Sequence, residues 1–460
     1  MVRRSNKRSN AMNIKLLCLA TFAGFSPAFA QNDSLPSAWT LENCIRYAQE
    51  HNITLKQKQQ EEKQREVELH TSRFSWLPDL NAALNQNFDF GRSPSRTGVI
   101  ADQNSANTSV SISLSMPIFD GLRTPNDIKA KKLNLQAATE SLNKAREDLA
   151  VNIASYFLQV LYNRELEQVA RLQVDFSAKQ VEQTKALVDA GRQPLSELYN
   201  IKAQLAQDEV SLTEASNNVR LALLDLTQAL ELERLEAQFD VDAPEINDPV
   251  ERYMSSILPP DDIYNRALAI KPQIREQELL LQSQQKQLRV AQAAYYPQLS
   301  FGASYSNGYY HYYTGDVESL PFSDQLNQNG RKTLGFTLTI PLFNRFQTRN
   351  AVRSARIAIL NQQLQMDDTK KTLYKEIQQA YYNATAAQKK YQSAGKSVLA
   401  AREAFEYAEN KYAAGKSTVY ELNESKTQYA KSLAEEVQAK YEYVFRVKIL
   451  EFYAGEELRL

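Results

Sequence analysis

The run Gly415-Lys416-Ser417-Thr418 ends the way a phosphate-binding loop ends. Such a loop wraps phosphates in backbone N–H groups, and it needs a glycine five residues before Gly415 and a strand to deliver it. Asn410 stands at that first position and the residues before it repeat apolar at helical spacing, so the run does not support nucleotide chemistry. Glu421 and Glu424 follow, three residues apart and therefore on one face of a helix. Two such carboxylates suit either solvated glutamates complementing a helix N-terminus or a face that attracts cations. His51, His70 and His311 are too scattered for a metal cluster, and no Ser-His-Asp or Cys-His arrangement supports an exported enzyme. No cofactor and no metal is expected.

The compartment is written at the N-terminus. Arg3, Arg4, Lys7, Arg8 and Lys15 precede the apolar run "LLCLATFAGF" and then Ala28-Phe29-Ala30, which together make a secretory signal peptide over 1–30. Cys18 lies inside the apolar run without the small residues of a lipid-attachment box, so lipid is not expected there. Cys44 is the one cysteine of the mature chain, which therefore forms no internal disulfide. The chain is formally neutral, but removing five basic leader residues leaves 49 Lys+Arg against 54 Asp+Glu. A mildly acidic chain without a basic patch argues against nucleic acid as a partner. No apolar run after the leader reaches the roughly 20 residues of a transmembrane helix.

Two copies of one unit build the rest. "DAGRQPLSELYNIKAQ" (189–204) and "AAGKSTVYELNESKTQ" (413–428) align Gly191 with Gly415, Glu197 with Glu421, Leu198 with Leu422, Lys202 with Lys426 and Gln204 with Gln428. The same shift lays "SMPIFDG" on "TIPLFNR", and a shift shorter by five residues lays "WLPDL" on "YYPQL". The expected organisation is a first repeat at 31–237, a Pro- and Asp-containing linker at 238–261, and a second repeat at 262–460.

Within each repeat the pattern changes character. Residues 40–75 and 262–294 are rich in helix formers. Four stretches then alternate with period two: Leu80 to Phe90, Ser109 to Ile118, Leu299 to Ser306 and Thr333 to Ile340. One face is apolar, and the other is mostly Ser, Thr, Asn or Gly, which suits strands between lipid and a watery lumen. Tyr309, Tyr310, Tyr312 and Tyr313 are expected just past the end of the third strand, as an aromatic girdle. Four strands cannot close a barrel, whose smallest membrane forms use about eight, and open edges are forbidden in lipid. Several copies must therefore share one barrel.

Each second strand leads into a very long helix. Leu373, Ile377, Ala380, Ala384, Ala387, Tyr391, Ala394, Val398, Ala401, Phe405, Ala408 and Tyr412 form an unbroken heptad seam. Leu149, Ile153, Tyr156, Val160, Ala170, Val174, Val181 and Val188 keep it less strictly, interrupted at Asn163 and Glu167. Gly191 and Gly415 fall where these seams end. They are expected in left-handed conformation, reversing the chain into an antiparallel helix, so the Gly-Lys-Ser is a turn. Pro194 in the first copy suits a helix start.

The tandem repeat, the joints "MPIFDG" and "IPLFNR" and the two tips with a glutamate six residues after the glycine resemble the TolC-like outer-membrane efflux family over nearly all of the mature chain. The resemblance implies a mostly α protomer with membrane β: four strands that trimerise into a 12-stranded barrel, continued by a periplasmic α-helical tunnel. It implies residence in the outer membrane, in contact with its lipid, and no enzymatic activity. It further implies a duct of a tripartite efflux or type I secretion system, served by a periplasmic adaptor (membrane fusion) protein and, indirectly, by an inner-membrane pump. Carried over residue by residue, it puts Glu421 and Glu424 at the entrance constriction and Glu197 with Tyr412 in a hydrogen-bonded gate network. Adaptor docking would fall on the tips, Gly191, Arg192, Gly415 and Lys416. Ser417 stands where the family has a basic gate partner, a place that Lys416 or Arg192 would have to fill. A coiled-coil adaptor or envelope tether is the alternative, and it leaves the four strands unexplained.

Overall fold

The computed structural model describes residues 39–94, 100–102, 104–232, 239–242, 258–314 and 319–459. The leader and most of the 238–261 linker thus lie outside the described residues.

The entry helices of the two repeats match in length. Helices α1 (Leu41–His51) and α2 (Ile53–Phe74) have 11 and 22 residues, as do α5 (Pro260–Ile270) and α6 (Pro272–Ala293). The expected single helices at 40–75 and 262–294 are each broken in two. Asn52 ends α1 and caps α2 by accepting from the Leu55 N–H at 3.1 Å, and Lys271 is held extended before Pro272. Helix α5 starts at Pro260, inside the span assigned to the linker, where proline suits a first turn.

Strands β1 (Asp79–Asp89), β4 (Ser105–Phe119), β5 (Gln298–Tyr312) and β6 (Arg331–Thr339) form one antiparallel sheet in the order β1-β4-β5-β6. A short hairpin, β2 (Arg92–Pro94) with β3 (Ile100–Asp102), and a one-turn-plus helix, α7 (Phe322–Gln328), decorate its far end. Strands β4 and β5 outrun the alternating stretches that announced them. Tyr309 pairs with Thr108 and Tyr312 with Ser105, so Tyr309, Tyr310 and Tyr312 lie within β5, split between its faces, and only Tyr313 follows it. The cause is the polar start of β4, Ser105 to Thr108, which gives β5 a backbone partner without giving the sequence an alternation.

Register places like with like across the sheet. Leu80 faces Leu114 and Leu114 faces Ala303, while Ala303 faces Leu334; on the other side Asn81, Ser113, Ser304 and Thr333 line up in the same way. A bulge between Pro117 and Phe119 brings Phe119 opposite Leu299 as the strand turns toward its helix.

Helices α3 (Arg123–Asp189) and α8 (Gln347–Ala413) each run 67 residues, about 100 Å at 1.5 Å per residue. The return helices α4 (Leu195–Ala229) and α9 (Val419–Ala454) have 35 and 36 residues. Each long helix is entered through two consecutive left-handed residues, Gly121 and Leu122 in the first repeat and Arg345 and Phe346 in the second. A Cβ at Gly121 would sit 2.5 Å from the Ala293 carbonyl oxygen, so glycine is needed there for room as well as for conformation. Asp120 secures the first entry by accepting from the Thr124 N–H at 2.8 Å.

The seam of α8 is buried at Leu373, Ile377, Ala380, Ala384, Ala387, Val398, Ala401 and Tyr412. In α3, Ile153 and Val160 are buried but Tyr156 is exposed. Asn163, which interrupts that seam, is buried and donates to the Asn218 carbonyl at 3.2 Å. Two apolar cores use equivalent positions: Cys44, Ala48, Ile153, Val160 and Leu226 in one, Ile263, Ala267, Ile377, Ala384 and Leu450 in the other. Cys44 therefore does the packing of an isoleucine, and burial pushes its thiol up to about 12, which keeps it unreactive.

Candidate functional site

The tips close as their spacing requires. Gly191 has φ +70° and Gly415 φ +68°. Gly191 N–H donates to the Val188 carbonyl and Arg192 N–H to the Leu187 carbonyl, both at 2.9 Å; Gly415 and Lys416 repeat this onto Tyr412 and Lys411 at the same distance. These paired bonds satisfy carbonyls that a helix end otherwise leaves open. Helix α9 then starts on Thr418, whose hydroxyl accepts from the Glu421 N–H at 3.3 Å. Pro194 serves the first tip without a side-chain cap. Arg192 and Lys416 stand exposed at the turns.

Glu421 and Glu424 are both exposed on the first turns of α9. They differ in company. Glu421 pairs with Lys411 at 3.4 Å, whereas Glu424 rims a groove shared with Gln204 and Tyr420. The structure does not bring Glu197 and Tyr412 together in the single chain. The Tyr412 ring is buried among Ile201, Val419 and Leu422, which carries its hydroxyl to 3.3 Å from Thr184 of α3. Glu197 Oε2 and Ser417 Oγ are buried with no hydrogen-bond partner in the single chain.

A buried polar cluster behind the tips was not among the expected residues. Lys426, its side chain 3% exposed, reaches from α9 to Asp208 of α4 at 2.5 Å and to Ser177 of α3. Ser177 also donates to Asp208, and Gln204 donates to its other oxygen at 2.8 Å. Burial lowers the Lys426 ammonium below the usual lysine range and Asp208 opposes that shift. Further along the same joint Lys440 and Tyr441 both reach Glu165 at 2.8 Å, and buried Lys271 pairs with Glu147 at 3.1 Å while lying over the Phe452 ring. The repeat alignment of Lys202 with Lys426 is the one sequence signal that pointed here.

The sheet is the second part of the site. Its apolar face is open in the single chain: Leu84 is 71% exposed, Leu338 59% and Phe336 69%. Strands β1 and β6 each have one edge without a partner strand among the described residues. Among those residues no helix is long and apolar enough to cross a membrane.

The family described as outer membrane efflux protein matches residues 44–231 and 263–456, one match per repeat. The outer membrane protein TolC of Escherichia coli (strain K12) is 20% identical over 439 residues, covering 94% of this chain and 84% of its own length. TolC of Salmonella enteritidis is 20% identical over 359 residues, covering 76% and 70%. Among solved structures, CusC superposes with a TM-score of 0.74 at 15% identity over 91% of this chain and 92% of its own. The Campylobacter jejuni CmeC outer membrane channel does so with 0.70 at 18% identity, over 91% and 87%. The open state of the Neisseria gonorrhoeae MtrE outer membrane channel gives 0.69 at 18% identity, over 91% and 89%. At these identities the structural likeness is one of fold.

Proposed function

Because the chain belongs to the outer membrane efflux protein family, we propose that it is the exit duct of a tripartite efflux or type I secretion system. Three copies would close their sheets into one 12-stranded barrel, and substrates delivered by an inner-membrane pump through a periplasmic adaptor would pass along the helical tunnel without chemical change. One observation carries this reading: a sheet with an exposed apolar face, a face of small polar residues and two open edges continues directly into helices of 67 residues. An adaptor or tether needs the helices but has no use for the sheet. An unpaired sheet edge is not tolerated in hydrocarbon, and a shared barrel removes it.

The exposed tips at Gly191, Arg192, Gly415 and Lys416 are the surface that meets the adaptor. Glu421 and Glu424 form the entrance, where threefold repetition would gather carboxylates of like charge into a cation-attracting constriction. Lys411 tempers Glu421 within each copy, so Glu424 carries the larger share of that field. Glu197 and Tyr412 remain assigned to the gate, with Thr184 as the partner of the tyrosine.

Single-channel recording in planar bilayers tests the reading. The protein should open cation-preferring pores that multivalent cations block from the tip side. Glu421→Gln with Glu424→Gln should weaken both properties at unchanged assembly. Absence of pores from membrane-extracted protein would overturn the duct; unchanged selectivity and block would move the constriction elsewhere.

A further inference from the structure

Strand β5 runs past the end of its neighbour. Strand β6 pairs with it only up to Arg331 opposite Ser306, while β5 continues to Tyr312. Side chains of the segment that leads back to β6 take over the missing ladder. Gln325, itself 7% exposed, accepts from the Tyr310 N–H at 2.9 Å and donates to the Tyr310 carbonyl at 2.8 Å. Asn329 donates to the Gly308 carbonyl at 2.7 Å, and Ser319 accepts from the Tyr312 N–H at 3.1 Å. Gly308, Tyr310 and Tyr312 are alternate residues, so this far end of β5 is held extended and its two faces stay distinct.

Tyr310 and Tyr312 fall on the polar face. Before them that face of β5 carries Ser300, Gly302, Ser304, Ser306 and Gly308, so a wall of small residues ends in two aromatic rings. A Cβ at Gly308 would lie 3.6 Å from the Tyr310 ring, so glycine lets that ring lie along the wall, where Tyr310 is 46% exposed. The ladder puts Ser105 and Asp89 on the rung of Tyr312, with Asp89 two strand spacings away, about 10 Å. On the rung of Tyr310 it puts Asn107, whose Oδ1 is buried without a hydrogen-bond partner. Asp89 is exposed, and Arg92, three residues on, pairs instead with Asp102 at 3.5 Å. Arg331 shares the polar face, but its rung lies six strand residues from Tyr312, about 20 Å. That is well beyond the screening length of about 8 Å at physiological salt. Among the described residues the polar face is therefore negative at the level of the tyrosines.

We infer that this far end of the polar face binds aromatic organic cations, with the Tyr310 and Tyr312 rings as the surface they lie on and Asp89 as the counter-charge. The route by which such solutes arrive rests on the duct reading, which turns the polar face to the lumen; the binding residues all belong to one copy. The electron-rich face of a tyrosine attracts a cation within about 6 Å of its centroid, most of all a quaternary ammonium. Asp89 makes the site prefer a cation to a neutral ring or an anion, and the Asn107 oxygen offers an acceptor to any N–H the cation carries.

Propidium, a water-soluble aromatic dication with a quaternary ammonium, reads the site by fluorescence anisotropy on the detergent-solubilised assembled protein. Titrations use Glu421→Gln with Glu424→Gln as the parent, so that the tip carboxylates do not compete. Tyr310→Ser with Tyr312→Ser should weaken binding about tenfold, whereas Tyr310→Phe with Tyr312→Phe should stay within about twofold, because the ring face and not the hydroxyl holds the cation. Asp89→Asn should weaken it several-fold, and this exposed substitution carries the test should the serine pair fail to assemble. Fluorescein, an aromatic anion, should not bind. The site is overturned by a parent that does not bind propidium, by binding indifferent to the serine pair or to Asp89→Asn, by equal losses in the serine and phenylalanine pairs, or by equal binding of fluorescein. Each of these leaves the duct standing when the same preparation opens pores in planar bilayers. Tyrosine-dependent binding by a protein that opens no pores keeps the site and overturns the duct.

Discussion

Lys202 and Lys426 hold the same position in the two repeats, but Lys426 is enclosed by Ser177 and Asp208 while Lys202 stands exposed beside the Tyr199 ring. The partners of Lys426 are what the second repeat does not reproduce. Counting along the repeat, Asp208 becomes Ser432, Ser177 becomes Ala401, Thr184 becomes Ala408 and Glu165 becomes Lys389. The joint inside the chain is thus threaded with fixed polar pairs, and the outer flank has small side chains at three of those positions and a lysine, Lys389, at the fourth. A buried ammonium without an acid is costly, so Lys202 has to keep its charge in water when the flank is covered. Equivalent backbone positions therefore differ in the single chain: the joint between the repeats is specified by buried pairs, and the outer flank keeps its lysine in water.

Breaking the specified joint should give the largest effect. Lys426→Met leaves Asp208 enclosed without its cation and should destabilise the protein by about 3–5 kcal/mol, much of it recovered on adding Asp208→Leu. Lys202→Met, at an exposed position, should stay within about 0.5 kcal/mol of the parent. Denaturant unfolding of the detergent-solubilised protein, followed by circular dichroism, measures both. Equal losses from the two lysines would erase the distinction between the joints.

The sheet should show no such asymmetry, because its two hairpins repeat each other's chemistry. Leu114 on β4 and Leu338 on β6 lie on the same apolar face. Arginine at either, near the bilayer midplane, should cost about 2–4 kcal/mol and lower the amount of assembled protein in the membrane, whereas Ser113→Arg or Thr337→Arg should be tolerated. A penalty at Leu114 but not at Leu338 would carry the difference between repeats into the barrel.

These contrasts separate what local spacing encodes from what packing decides. The tip turns were legible because a left-handed residue at a helix end calls for glycine, and Gly191 and Gly415 supply it. Which residues share each face of the sheet followed from alternation, but the length of its strands did not, since Ser105 to Thr108 are paired strand without an apolar face to announce it. The entrance glutamates were legible as a spacing and not as an environment: nothing local gives Glu421 its Lys411 partner across the turn. Tyr412 was expected in a gate network with Glu197; in the single chain the heptad seam buries its ring and its hydroxyl lies 3.3 Å from Thr184. Asp208 lies 218 residues from Lys426, and only knowing which coil packs on which could join them.

The smallest and most discriminating effect comes from giving the outer flank the acid it lacks. Ser432 is fully buried in the single chain beside Ser397, at the position where the first repeat holds Asp208. In Ser432→Asp the new carboxylate lacks the Lys426 that relieves Asp208, and in the assembled duct Lys202 of another copy, the match of Lys426 in the repeat, is the cation that can replace it. Taken singly, the change buries an acid and has no fixed sign, so the informative quantity is the coupling between the two positions. A double-mutant cycle with Lys202→Met isolates it. Thermal dissociation of the assembled protein should show Ser432→Asp tolerated with Lys202 present and penalised without it, a coupling of about 1 kcal/mol or less for a pair that keeps some water. Zero coupling would mean that Lys202 of one copy does not reach Ser432 of another, and the likeness of the two lysines would then end at their place in the repeat.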